Sequence, residues 1–235
     1  MNNRYLDGSY LKSTSTWHAE DSEWKAKNIG GLISEVAAEI SSVVEIGCGA
    51  GGVIGHLSTL GVLPSETEYS GFDISPQAIE LAKVGWASST HSFFADDYFS
   101  SYRDKADLLI AADVFEHVPD YMQFLENAQR AAAFKVYHIP LDINVSSVFR
   151  RVLPKIRSEV GHLHYFTEET ALAVLEETGH TIVGSRLTCN SLDLASAYNG
   201  FGTWFANLFR RPLYGWNPSL VARTIGGCSL LVLAK

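Results

Sequence analysis

Four carboxylates and a burst of glycines are the residues of this chain best placed to do chemistry. Gly47, Gly49, Gly51 and Gly52 follow the apolar stretch Val43 to Ile46, which carries Glu45. Glycines at such a point allow a sharp turn and a close approach of a ligand to the backbone, and a helix start beyond them offers N–H donors. Asp73 and Asp96 end two further short apolar runs, and Asp113 ends a third, Ala106 to Ala112. The glycine loop is where a nucleotide-like cofactor would sit, and the acidic residues at the strand ends converge on the same rim. Gly47, Gly49 and Gly52 also satisfy G-x-G-x-x-G, with an acidic residue about 20 positions on, which keeps an NAD-dependent oxidoreductase in competition. Glu45 just before the turn and the tighter spacing given by Gly51 argue against it.

Histidines supply the candidate proton acceptors. His117 follows the fourth apolar run by a few residues, and a neutral imidazole there could take a proton from a hydroxyl or amine. His162 and His164, or His138 with Asp142, are weaker rivals. Glu116 and His117 with His162-x-His164 include metal-ligating types, but the spacing shows no tight cluster and no metal is expected. Cys48 reads as a small residue facing a cofactor or the core, not as a nucleophile.

These residues must be held by strands. Val43 onward, Tyr69 to Phe72, Ser92 to Ala95, Ala106 to Ala112 and Phe134 to Ile139 read as five strands. Helical patterns separate them at Val53 to Leu60, at Ser75-Pro76 up to Gly85, and at Tyr121 to about Ala132. Such alternation implies βαβ units, a parallel sheet with helices on both faces, and ligand binding beyond the carboxyl ends of the strands. A helix over Ile29 to Ile40 precedes the first strand. Thr167 caps another, around Ala171 to Leu175. Thr181 to Leu187 and Ser229 to Ala234 are expected to pair antiparallel at the sheet edge. Residues 1–41 form an arm and covering helix, 42–140 the cofactor-binding core, 141–166 a substrate-side insertion, and 167–235 a closing helix, edge strands and an aromatic segment, within one domain. The aromatic stripe from Tyr198 through Phe201, Trp204 and Phe205 to Phe209 reads as core or a subunit contact, a membrane surface being the alternative.

With 235 residues, 46% of them apolar, the chain can bury one substantial core. A formal charge of −8 argues against nucleic acid as a partner. Three scattered cysteines show no disulfide or zinc spacing, and there is neither a signal core nor a long apolar run, which together indicate a cytoplasmic protein.

The glycine stretch, read as Glu-Ile-Gly-Cys-Gly-Ala-Gly, resembles the first motif of the class I S-adenosylmethionine-dependent methyltransferases. Gly-Phe-Asp-Ile-Ser, Phe-Phe-Ala-Asp and Ala-Asp-Val-Phe-Glu-His-Val-Pro-Asp resemble the second, third and fourth, in order. Gly161-His-Leu-His-Tyr-Phe-Thr is similar to a segment of the small-molecule branch. The resemblance implies a Rossmann-like sheet of seven strands, mostly parallel with an antiparallel C-terminal strand. It implies S-adenosyl-L-methionine as cofactor, S-adenosyl-L-homocysteine as product, and methyl transfer to an oxygen or nitrogen of a small molecule or glycan precursor. Gly47, Cys48, Gly49 and Gly51 would admit the methionine and ribose portions, with Glu45 shaping the loop. Asp73 and Ile74 would meet the ribose, Asp96 or Asp97 the adenine amino group, and Asp113 and Val114 the reacting end. The arm around Trp17 to Lys25 would close over the cofactor. A monomer or homodimer is expected, and a non-catalytic partner subunit of the same fold is the second reading.

Overall fold

The computed structural model describes residues 19–101, 105–194 and 201–235, so the expectations for Trp17 and Tyr198 lie outside the described residues. Seven strands form one sheet: β1 (Ser42–Ile46), β2 (Glu68–Asp73), β3 (His91–Ala95), β4 (Ala106–Ala112), β5 (Ala132–Pro140), β6 (Ile182–Thr188) and β7 (Ser229–Ala234). Their order is β3-β2-β1-β4-β5-β7-β6. β1 pairs parallel with β2 and β4, β2 with β3, and β4 with β5. β7 runs antiparallel to both β5 and β6. The two tail strands therefore pair as expected, but β7 slots inside the sheet and β6 takes the edge.

Leu108, Leu109, Ile110 and Ala111 of β4 are all fully buried because the strand faces helices on both sides. Leu108 and Ile110 join Phe134, Val136, Leu231 and Leu233 on one face, and Leu109 and Ala111 join Tyr137, Ile139, Leu230 and Val232 on the other. The period-2 alternation of strand side chains produces this division.

Helix α1 (Ala19–Ile33), α2 (Gly52–Thr59) and α3 (Pro76–Trp86) cover the first face through Ile29, Ile54 and Ile79. Burying each such side chain contributes about 2 kcal/mol. The second face is covered by α5 (Tyr121–Ala131), which follows a single turn of helix, α4 (Tyr98–Ser101). Ser75 and Asp120 cap α3 and α5 by accepting from Ala78 N and Gln123 N. The leading helix stops at Ile33, short of the expected Ile40, and the chain reaches β1 through a 3₁₀ turn at Ala37–Glu39.

Residues 141–166 contain two short helices, α6 (Val145–Phe149) and α7 (Leu153–Glu159), where the sequence suggested an irregular insertion. Asn144 and Ser147 cap α6 reciprocally. After α8 (Glu168–Glu177) and a turn at Asn190–Asp193 (α9), the aromatic stripe lies on α10 (Phe201–Trp216), which continues through Pro212, and α11 (Pro218–Thr224) follows. Trp204, Phe205, Leu208 and Phe209 are exposed, so this stripe is not core. Among the described residues no helix is long and apolar enough to cross a membrane.

Candidate active site

Strand order reverses between β1 and β4, and the segments leaving these two strands form the site. Gly47, Gly49 and Gly51 all have left-handed backbones, at φ 70, 54 and 75. A Cβ on Gly47 would lie 2.7 Å from Val114 Cγ2, so glycine is required both by the turn and by the wall opposite. Gly47 N and Cys48 N donate to the Phe72 carbonyl at 2.7 and 3.0 Å, which fastens the turn to the end of β2. The Cys48 side chain packs in the core, where burial pushes its thiol well up. Only the backbone of Cys48 is therefore on the ligand side.

Asp73 closes β2. Its Oδ2 accepts from Gly49 N at 3.0 Å and its Oδ1 from Ser75 N at 2.8 Å, so one carboxylate sets both the glycine turn and the approach to α3. Burial raises its pKa, and these two backbone donors oppose the rise. Ile74 beside it is exposed on the rim. Glu45, inside β1, is 2% exposed and keeps one carboxylate oxygen, Oε2, without a hydrogen-bond partner. Its carboxyl is pushed up to about 8 by burial, against a backbone bond from Ile54 and the charge of Lys25.

Of the acidic pair after β3, Asp97 turns its carboxylate to Phe99 N at 3.1 Å and Ser100 Oγ at 2.7 Å, capping the start of α4. Asp96 accepts from Asp97 N at 2.8 Å.

Asp113 has the left-handed φ of 57, uncommon for any residue but glycine. Lys25 Nζ reaches its Oδ2 at 2.8 Å and His138 Nδ1 its Oδ1 at 2.7 Å. Burial disfavours its charge, but Lys25 and His138 outweigh that and hold the carboxyl well below the usual range. Lys25 also pairs with Asp21 at 3.0 Å, and the two carboxylates keep this buried ammonium charged. Trp24 donates Nε1–H to Asp193 at 3.1 Å and sets its ring edge-to-face on His138, 5.8 Å between centroids. Helix α1 is thereby locked onto the end of β4. Lys25 was expected only as the end of the closing arm; its ion pair with Asp113 was missed, although the i, i+4 spacing of Asp21 and Lys25 was visible. His138 is consumed by Asp113 and by Thr188 Oγ1 at 3.0 Å, which removes it as a rival base.

Beyond β4 the fold assembles a cluster whose spacing the sequence did not reveal. One ligand-type atom from each of Glu116, His117 and His162 lies within 4.8 Å of the others. Leu163 N and His164 N both donate to the Glu116 carbonyl, at 2.8 and 3.1 Å, and this backbone stitching brings together side chains far apart in the chain. Glu116 is completely buried, and its carboxyl is raised well above the ordinary value by burial and by the nearby charges of Asp113 and Asp142. His117 Nδ1 bonds to the Gly161 carbonyl at 3.1 Å and His162 Nδ1 to Asp142 Oδ2 at 2.5 Å. His164 turns away, bonding the Val118 and Pro119 carbonyls at 3.1 and 3.3 Å. Asp142 also lines a cleft of about 290 Å³ with Asn144, Arg150, Asn190 and Arg210.

A family model described as "Methyltransferase domain" matches residues 18–184. No match was found among curated proteins. A Haloferax volcanii protein solved in complex with the Trm112 methyltransferase activator is 15% identical, with a TM-score of 0.69 over 100% of this chain and 96% of that one. Magnesium protoporphyrin IX methyltransferase from Synechocystis PCC 6803, with bound S-adenosyl-homocysteine, is 15% identical, TM-score 0.57, over 95% and 85%. The N-methyltransferase NodS from Bradyrhizobium japonicum WM9, in complex with the same product, is 18% identical, TM-score 0.54, over 88% and 85%. At such identities the likeness is one of fold.

Proposed function

Because the chain belongs to the class I S-adenosylmethionine-dependent methyltransferases, we propose that it methylates an oxygen or nitrogen of a small molecule, glycan precursors included, seated in the cleft beyond β5. The adjacency of cleft and cluster carries this reading: Asp142 lines the cleft and holds His162, two residues past the end of β5, which pairs with β4, the strand that leads into Asp113.

The residues present fit the cofactor. Left-handed glycines leave backbone where a Cβ would intrude, and Asp73 stands on a strand end beside them. When bound, S-adenosylmethionine supplies a methyl group already activated on a sulfonium. The protein's part is to align the acceptor with that group and keep water out, which can supply several powers of ten in rate. Asp73 accepts from the ribose hydroxyls with the lone pairs left over from Gly49 and Ser75. Asp96 faces the adenine amino group, since Asp97 is spent on its own turn. Asp113, saturated by Lys25 and His138, shapes the wall with Val114 and does not bond the ligand through its carboxylate. Where the acceptor arrives protonated, His117 receives the proton at Nε2, because its Nδ1 is turned to Gly161. The buried free thiols of Cys48, Cys189 and Cys228 suit a reducing, cytoplasmic setting.

Calorimetry with S-adenosylmethionine and with NAD tests the cofactor side. Micromolar binding of the former is expected, and binding of NAD alone would overturn the reading. A gain of one methyl mass in hydroxyl- or amine-bearing acceptors, weakened by Arg150→Ala while S-adenosylmethionine binding holds, tests the cleft.

A further inference from the structure

We infer that Glu116, His117 and His162 form a binding site for a divalent transition-metal ion, joined to the cleft through the bond from His162 to Asp142. The first observation is the carboxylate. Both Glu116 oxygens are buried without a hydrogen-bond partner, and Oε1 lies 4.0 Å from His117 Nε2. A carboxylate taken out of water with nothing to accept from is costly, and buried charges are normally paired or coordinate metals.

The second observation is how the histidines are held. Each has its Nδ1 occupied by an oxygen acceptor, the Gly161 carbonyl for one and Asp142 for the other. A proton on Nδ1 leaves the lone pair on Nε2, and this is how ligating histidines are oriented by the groups behind them. The carboxylate behind His162 also makes its imidazole a better donor. The rings stand edge-to-face with centroids 4.8 Å apart. The two ligand-bearing segments are tied by backbone bonds to the Glu116 carbonyl, so the cluster keeps its arrangement without help from the ligand atoms themselves.

Two imidazoles and one carboxylate, with the remaining positions open, suit zinc, manganese, iron or cobalt and not the all-oxygen preference of calcium or magnesium. Metal–ligand bonds of about 2.1 Å set ligand atoms roughly 3 Å apart, so binding needs an inward rotation of about 1 Å. An ion in this place would bind an acceptor hydroxyl and ease loss of its proton to solvent, relieving His117 of the base role. That consequence rests on the methyl-transfer reading; the binding of the ion does not.

Titrating the purified full chain with Co²⁺, followed by visible absorption, and with Zn²⁺, followed by calorimetry, tests the site directly. One equivalent bound with micromolar or tighter affinity is expected. Glu116→Gln and His162→Asn should each weaken binding at least tenfold, and Asp142→Asn should weaken it about 10- to 100-fold. His164→Ala, whose ring lies outside the cluster, should bind as the parent does. Should either ligand variant fail to fold, Asp142→Asn carries the decision, with circular dichroism showing its fold intact. No binding by the parent, or unchanged affinity in the folded Glu116→Gln or Asp142→Asn protein, overturns the inference. The titration contains no S-adenosylmethionine, so a failure here is separable from a failure of the methyl-transfer reading.

Discussion

The two halves of the rim are built in opposite ways. On the cofactor side, Gly47 to Gly51 and Asp73 come from the ends of adjacent strands, and Asp73 spends its carboxylate on Gly49 and Ser75 within that local frame. On the acceptor side, Glu116 and His117 must meet His162, with Asp142 behind it, and the meeting depends on backbone bonds from Leu163 and His164. Local geometry can be written in a short motif; assembly across a long loop cannot. A change on the cofactor side should therefore act on one ligand, and a change between the halves should act on the fold.

The largest effect is expected from Asp73→Ala. Two charge-assisted hydrogen bonds to a ribose contribute about 3–6 kcal/mol together, so S-adenosylmethionine affinity should fall at least 100-fold. Asp73→Asn, which keeps one acceptor oxygen, should fall between parent and alanine variant. Calorimetric titration measures both. An alanine variant that binds like the parent would remove Asp73 from the cofactor site and with it the contrast between the two sides.

Next comes the group joining the halves to the leading helix. Lys25 is buried between Asp21 and Asp113, and Lys25→Met would leave Asp21 without its cation and Asp113 with His138 alone. Removing one partner from a buried ion pair costs about 3–5 kcal/mol. Denaturant unfolding should show that loss, and Lys25→Met with Asp113→Asn should recover part of it because one of the two carboxylate charges is gone. Equal destabilisation by the single and double variants would mean that Lys25 acts by packing alone.

How much of this was legible follows from the same contrast. The strand pattern was readable because each parallel strand is a short apolar run closed by Asp, Gly or Pro, and the sheet contains all seven runs singled out. Three glycines and Asp73 were readable because their spacing is set by one turn. The position of β7 between β5 and β6 was not, since nothing in Ser229 to Ala234 distinguishes an edge from an interior neighbour beyond its apolar density. Lys25 stood in the sequence only as the end of a closing arm; its buried pairing with Asp113 joins positions 88 residues apart, which no local spacing records. His162 and His164 looked equivalent in sequence, yet one ring turns to Asp142 and the other to the Val118 carbonyl, a choice made by the path of the loop.

The smallest effect should come from Glu45, and it distinguishes a charge built into the frame from one kept for a ligand. Burial holds the Glu45 carboxyl protonated up to about 8 in the folded chain, whereas an unfolded glutamate ionises near 4.3. Between those values the folded state carries the extra proton, so stability falls as pH rises, by about 1.4 kcal/mol per pH unit at most. His180, bonded to the Tyr137 hydroxyl at 2.8 Å, works the other way. Burial pushes its imidazole down to about 4, so from there to its unfolded value near 6.5 the unfolded state holds the extra proton and stability rises with pH. The two slopes oppose each other in weakly acidic solution, and above about 6.5 the Glu45 slope stands without that opposition. Urea midpoints of the parent should therefore decline from neutrality toward pH 8, and Glu45→Gln, which cannot ionise, should flatten that decline. Parallel pH profiles for parent and variant would mean that Glu45 is charged in the folded chain, its second oxygen satisfied by Lys25 or solvent, and that the cofactor side carries one more fixed charge than its buried geometry implies.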